Sequence, residues 1–141
     1  MLRRAIVARA ARHEERVEIE LAAGEVGHAF PTGDLFRRLV VVVEVVGEDY
    51  QLVAHAERTL ARHFRFETSA QGAKVQREIS DDRVQSQGPQ RVELELGALG
   101  RGREIAWRVE WQRVQSMHGD DAVIAATVVV AEGRLPAPPV R

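Results

Sequence analysis

The stretch Gly27-His28-Ala29-Phe30-Pro31-Thr32-Gly33-Asp34 puts an imidazole two residues before an aromatic ring, inside a loop braced by proline and glycine. His28 supplies a group that can ligate a metal or exchange a proton near neutral pH. Pro31 pushes Phe30 toward extended backbone, and Pro-Thr-Gly favours a tight turn, so the loop is expected to be stiff. Gly27, without a side chain, leaves room for a flat group beside His28. Such a loop can present a ligand to a metal or a planar cofactor. The same residues also fit a purely structural corner, in which His28 caps a turn and Phe30 plugs one end of the fold, and both readings stay open. Arg37 and Arg38 flank the strand that follows, and one of them is expected to close over Asp34 or a main-chain carbonyl.

Elsewhere the chemistry is sparse. His13 sits in a polar turn with Glu14 and Glu15, while His55 and His63, eight apart, match no usual zinc spacing. His118 with Asp120 and Asp121 has the residue types of a divalent-cation loop but no second ligand cluster beside it, so no metal site is expected. The serines, Ser69, Ser80, Ser86 and Ser116, lie in no G-x-S-x-G context. Asp81-Asp82 resembles a carboxylate pair, yet Asp82 next to Arg83 is better read as an ion pair at a strand start. Gly97, Gly100 and Gly102 form half of a phosphate-loop pattern, interrupted by Arg101 and Arg103 and followed by no helix signal. No catalytic residue is assigned and no enzyme is expected.

Composition narrows the field further. The 141 residues carry 20 Lys and Arg against 21 Asp and Glu, with Lys74 the only lysine, so no basic excess favours nucleic acid. With no cysteine, the sequence has no disulfide, no thiolate metal site and no CxxCH for covalent haem. No apolar run approaches the roughly 18 residues of a membrane span. Ala5-Ile6-Val7-Ala8 stops at Arg9, short of the roughly 7–15 residues of a signal core. As written, the sequence predicts a protein without an export signal, hence cytoplasmic.

The elements that must position the His28 loop are strands. Val17 to Leu21 and Val92 to Leu96 alternate apolar and charged residues, each reading as a strand with one wet face. Leu39 to Val46 is β-branched almost throughout and reads as a central strand buried on both sides in its first half. Glu104 to Gln115 puts Trp107 and Trp111 on one face, toward a core, and Arg108, Glu110 and Gln112 on the other. Ile6 to Ala11 is an opening strand or a helical turn, and Ala122 to Val130 is the last strand. Between them, 54–80 mixes a helical spacing of Leu52, Ala56, Leu60 and Phe64 with strand alternation at 63–67; a short helix or an irregular strand would each satisfy part of it, so a short irregular or helical insertion is expected. The expected fold is all-β: an antiparallel, immunoglobulin-like sandwich of two sheets and about seven strands. It occupies 1–134 as a single domain, with a Pro-rich tail at 135–141. Its exposed edge strands would permit a homo-oligomer.

The loop and its surroundings also resemble a family. Val26 to Asp34, followed by Arg37-Arg38-Leu39 and the apolar strand to Gly47, resembles the "GH-x-(F/V)-PTG … R-x-L-x-V-x-V" signature of the C-terminal β-domain of multihaem c-type cytochromes related to the nitrifiers' tetrahaem cytochrome. Ser80-Asp81-Asp82-Arg83-Val84 with Gly88-Pro89-Gln90-Arg91 is similar to its "D-x-R-(I/L)-x-P-G" segment, and Val109-Glu110-Trp111-Gln112-Arg113 to its "L-x-Y-x-R" strand. The three pieces occur in the family's order and span most of 5–130. The resemblance implies a β-sandwich packed against haem-bearing segments, usually on the periplasmic or extracellular side. It also implies His28 as a candidate axial ligand to a neighbouring haem, with Gly27, Phe30, Pro31, Thr32, Gly33, Asp34 and Arg37 as the surrounding contact loop. Because the sequence lacks CxxCH, no haem is bound covalently here. Any haem would belong to a partner, a multihaem cytochrome or another protein. The alternative is an adhesion or assembly sandwich with no haem role.

Overall fold

The computed structural model describes residues 5–24, 31, 37–84, 88–118 and 121–137, with backbone alone at 50, 66, 76, 117, 118, 121 and 122. Within them the chain forms nine strands: β1 (Ile6–His13), β2 (Arg16–Ala23), β3 (Arg37–Val46), β4 (Leu52–Leu60), β5 (Arg62–Thr68), β6 (Lys74–Asp81), β7 (Gln90–Glu95), β8 (Glu104–His118) and β9 (Asp121–Leu135). Every described pairing is antiparallel. One sheet has the order β1-β2-β7, a second β4-β3-β8-β9, and β5-β6 stand as a separate hairpin. The first two sheets together have the seven strands expected of the sandwich.

Alternation decides what goes between the sheets. Val17, Ile19 and Leu21 of β2 and Val92 and Leu94 of β7 meet Leu39, Val41, Val43 and Val45 of β3 and Ile105 and Val109 of β8 in one core cluster. The intervening Glu18 and Glu20 stay partly in water, as their period requires. At β3 the even positions Val40 and Val42 are buried too, on the opposite face, so this central strand is covered on both sides. Trp107 and Trp111 share the core face as expected, each only partly buried at its edge.

One alternative is decided and one expectation needs correction. Of the short helix and the irregular strand that 54–80 left open, strand is what forms: it holds the rest of β4 and the β5–β6 hairpin, with a register shift between His63 and Phe64. The spacing of four shared by Leu52, Ala56 and Leu60 is an even number, so it satisfies a strand's period as well as a helix's. The last strand does not stop at Val130 but runs to Leu135, opposite Ile105. Within that extension Gly133 faces Trp107 so closely that a Cβ there would lie 2.8 Å from the indole. The ring fills the place a side chain would take. The opening segment is a strand, β1, rather than a helical turn. The 97–102 glycines form a short 3-10 turn, Gly97–Gly100, with Gly97 at φ +68, not a phosphate loop.

Candidate functional site

The loop that carries His28 leaves β2 and enters β3. Gly27, His28, Phe30, Thr32, Gly33 and Asp34 lie outside the described residues, as does Asp120. The side chains of His118 and Asp121 do too. Pro31 is described: it is buried, and its carbonyl accepts a hydrogen bond from Nη1 of Arg83 at 3.2 Å. Arg37 is exposed at the start of β3, opposite Arg113 of β8. Nε of Arg38 donates to Oε1 of Gln112 at 2.9 Å, and Asp34, the other partner expected for Arg37 or Arg38, lies outside the described residues.

Arg83 belongs to the short segment after β6, and the geometry there differs from the expected Asp82–Arg83 pair. Arg83 grips Asp81, with Nε on Oδ1 at 2.9 Å and Nη2 on Oδ2 at 2.8 Å. In extended chain, residues two apart share a face and adjacent ones do not, which is why Asp81 wins. The hydrogen bond from Arg83 is the main influence holding the Asp81 carboxyl below its ordinary range, and the same bond raises Arg83. Asp82 points the other way and fastens the root of the hairpin. Its Oδ1 accepts from the Ala61 amide at 2.7 Å and meets Nε2 of His63 at 2.9 Å, while its own amide donates to the Ala61 carbonyl at 3.1 Å. Val84, next in line, is fully buried in the core. The three residues Asp81, Asp82 and Arg83 thus tie together Pro31, the end of β4 and the β5–β6 hairpin.

A second polar arrangement covers the outer face of the four-stranded sheet. Glu110 accepts from Arg108 Nε at 2.8 Å and from Gln112 Nε2 at 3.1 Å, and Arg108 Nη1 donates to Glu44 at 2.7 Å. His55 lies between Glu44, 3.7 Å away, and Glu57, 3.1 Å away. Burial disfavours the Arg108 charge, but the hydrogen bonds to Glu110 and Glu44 outweigh it and raise its pKa. Arg38 is lowered, by burial first, with Glu57 opposing. Sequence alternation had put Arg108, Glu110 and Gln112 on one face, but their partners on β3 and β4 are visible only once the register is known. Among the described residues, no group of three or more His, Asp or Glu side chains could hold a metal ion.

No family model matches the sequence, and no curated protein matches it. A solved structure does: a penta-heme cytochrome c552 from Thermochromatium tepidum, with a TM-score of 0.61 over 96% of this chain at 18% identity. The fold is shared with a multihaem cytochrome. The match spans 40% of that protein's length. At this identity the likeness is one of fold, and the sandwich implied by the sequence resemblance is the fold found. No helix among the described residues is long and apolar enough to cross a membrane.

Proposed function

We propose that this chain is a non-enzymatic β-sandwich module of a multihaem cytochrome or related electron-transfer assembly, on the periplasmic or extracellular side, and that His28 is offered to a haem held by other polypeptide. The observation that carries the reading is the shared fold: nearly the whole chain corresponds to two-fifths of a penta-heme cytochrome. The sequence adds that, with no cysteine and hence no CxxCH, any c-type haem must be attached elsewhere. A neutral imidazole on a braced turn is suited to axial ligation of iron, and Pro31 in that turn is anchored through its carbonyl.

Titration of haem into the purified chain, followed at the Soret band, tests this. A shift in wild type that His28→Ala abolishes supports ligation. An unchanged haem spectrum, together with no CxxCH-bearing polypeptide retained on native purification, rejects the haem role in favour of an assembly sandwich. One feature favours that second reading. The edge strand β9 carries no charge from Ala122 to Ala131 and exposes Val123, Ile124 and Val128, the kind of edge that pairs with another chain. On that reading the chain sediments as a homo-oligomer and His28→Ala leaves its assembly unchanged.

A further inference from the structure

We infer that β9 is a self-pairing edge: two copies of this chain join antiparallel along it, merging their four-stranded sheets across a two-fold axis. This rests on the assembly reading above and deepens it by naming the contact and its occupant. β9 ends the order β4-β3-β8-β9 and has no strand beyond it among the described residues. A strand with one dry face alternates in exposure. Here Val123, Ile124 and Ala125 are exposed in succession, as are Thr127 and Val128, so both faces of this stretch are open to water. At Val130 the strand meets the core, and beyond it exposure alternates again. The occupant follows from charge. In antiparallel pairing about a two-fold axis the same strand supplies both sides, so a charge near the axis is set against its own copy, a condition that a foreign strand does not impose. β9 meets the condition: no charge stands between Asp121 and Glu132, in a chain of which 29% is charged. The other sheet edges carry charges, Arg9 and Arg12 in β1, Glu57 and Arg58 in β4, Arg91 and Glu93 in β7, which is the usual guard against edge pairing. With the axis at the middle of the stretch, beside Thr127, all ten residues 122–131 face uncharged ones. The register against β8 slips at Ala125 and at Val130, leaving Ala126 to Val129 straight between the two bulges, and Thr127 lies in that part.

Sedimentation velocity of the full chain, from micromolar to millimolar protein, tests this on wild type, Thr127→Lys, Thr127→Glu and Leu52→Lys. Leu52 is 64% exposed on β4, the opposite edge of the same sheet, and its variant serves as the control. Wild type should dimerise, and Leu52→Lys should match it. Thr127→Lys and Thr127→Glu each put like charges across the axis and should each weaken the dimer by about tenfold, whereas an equimolar mixture of the two should recover it. Val123→Lys gives the same readout if a charge at 127 prevents folding, as judged by circular dichroism. A wild type that stays monomeric throughout overturns both the inference and the assembly reading. An oligomer that Thr127→Lys leaves intact, or that Leu52→Lys weakens equally, overturns the β9 contact and leaves the assembly reading standing. No recovery in the mixture overturns the two-fold pairing.

Discussion

Replacing Asp82 with alanine should loosen the hairpin root by an amount that can be worked out. Ala61 is 5% exposed, and its amide donates to Oδ1 of Asp82 at 2.7 Å, so the substitution leaves a buried donor without that acceptor. An orphaned buried amide costs about 1–3 kcal/mol. The His63 contact adds little, because that ring is 36% exposed and an exposed pair contributes no more than a few tenths of a kcal/mol. The backbone bond from the Asp82 amide to the Ala61 carbonyl survives in the variant. A net loss near 2 kcal/mol corresponds, for a domain of this size, to a melting temperature lowered by roughly 5–8 °C. Asp82→Asn keeps an acceptor in the same place and should lose less than half as much, roughly 2 °C. Circular dichroism melts of the three proteins at neutral pH decide the matter. An alanine variant that melts with wild type, or an asparagine variant as damaged as the alanine one, refutes the reasoning that Oδ1 is needed by the Ala61 amide.

Gly133→Ala puts a methyl group 2.8 Å from Cε2, Cζ2 and Nε1 of Trp107, so the indole must move; a cost of about 1–3 kcal/mol and a shifted tryptophan emission are expected, and an unchanged spectrum and melting point would contradict the close packing. Acid should release the Arg83 clamp in a defined window. The Asp81 carboxyl is held below its ordinary 3.8, chiefly by its hydrogen bond from Arg83, so its contribution is complete above that value and is lost as pH falls through the lower folded one. Stability of wild type should therefore fall more steeply than that of Asp81→Asn only below about pH 4, as read from urea melts across the acid range.

Much of the sandwich was legible because strand faces are written locally. The alternation at Val17-Glu18-Ile19-Glu20-Leu21 and at Val92-Glu93-Leu94 shows which side is dry, and those apolar residues lie in the core. Leu39 to Val43, apolar without alternation, marked the strand buried on both faces. The stretch 54–80 was legible only as a choice between a short helix and an irregular strand, because a spacing of four residues serves both and because β5 breaks its own period between His63 and Phe64. The end of β9 beyond Val130 was missed because what supports Gly133 in the strand is the Trp107 ring across the sheet, a contact that no local pattern shows. Of the candidate site, the sequence singled out the loop, most of which lies outside the described residues, but it paired Arg83 with Asp82 where the structure pairs it with Asp81.

The sequence by itself determined that the chain alternates as strands and that these residues include no cysteine through which a thioether bond to haem could form, because periodicity and composition are read directly from the residues. Only the tertiary structure decided which strands are neighbours, that Glu44 of β3 meets Arg108 of β8, and that Arg83 holds Pro31. Those contacts depend on sheet order and register, which are fixed when two distant apolar faces bury each other and which no local pattern encodes.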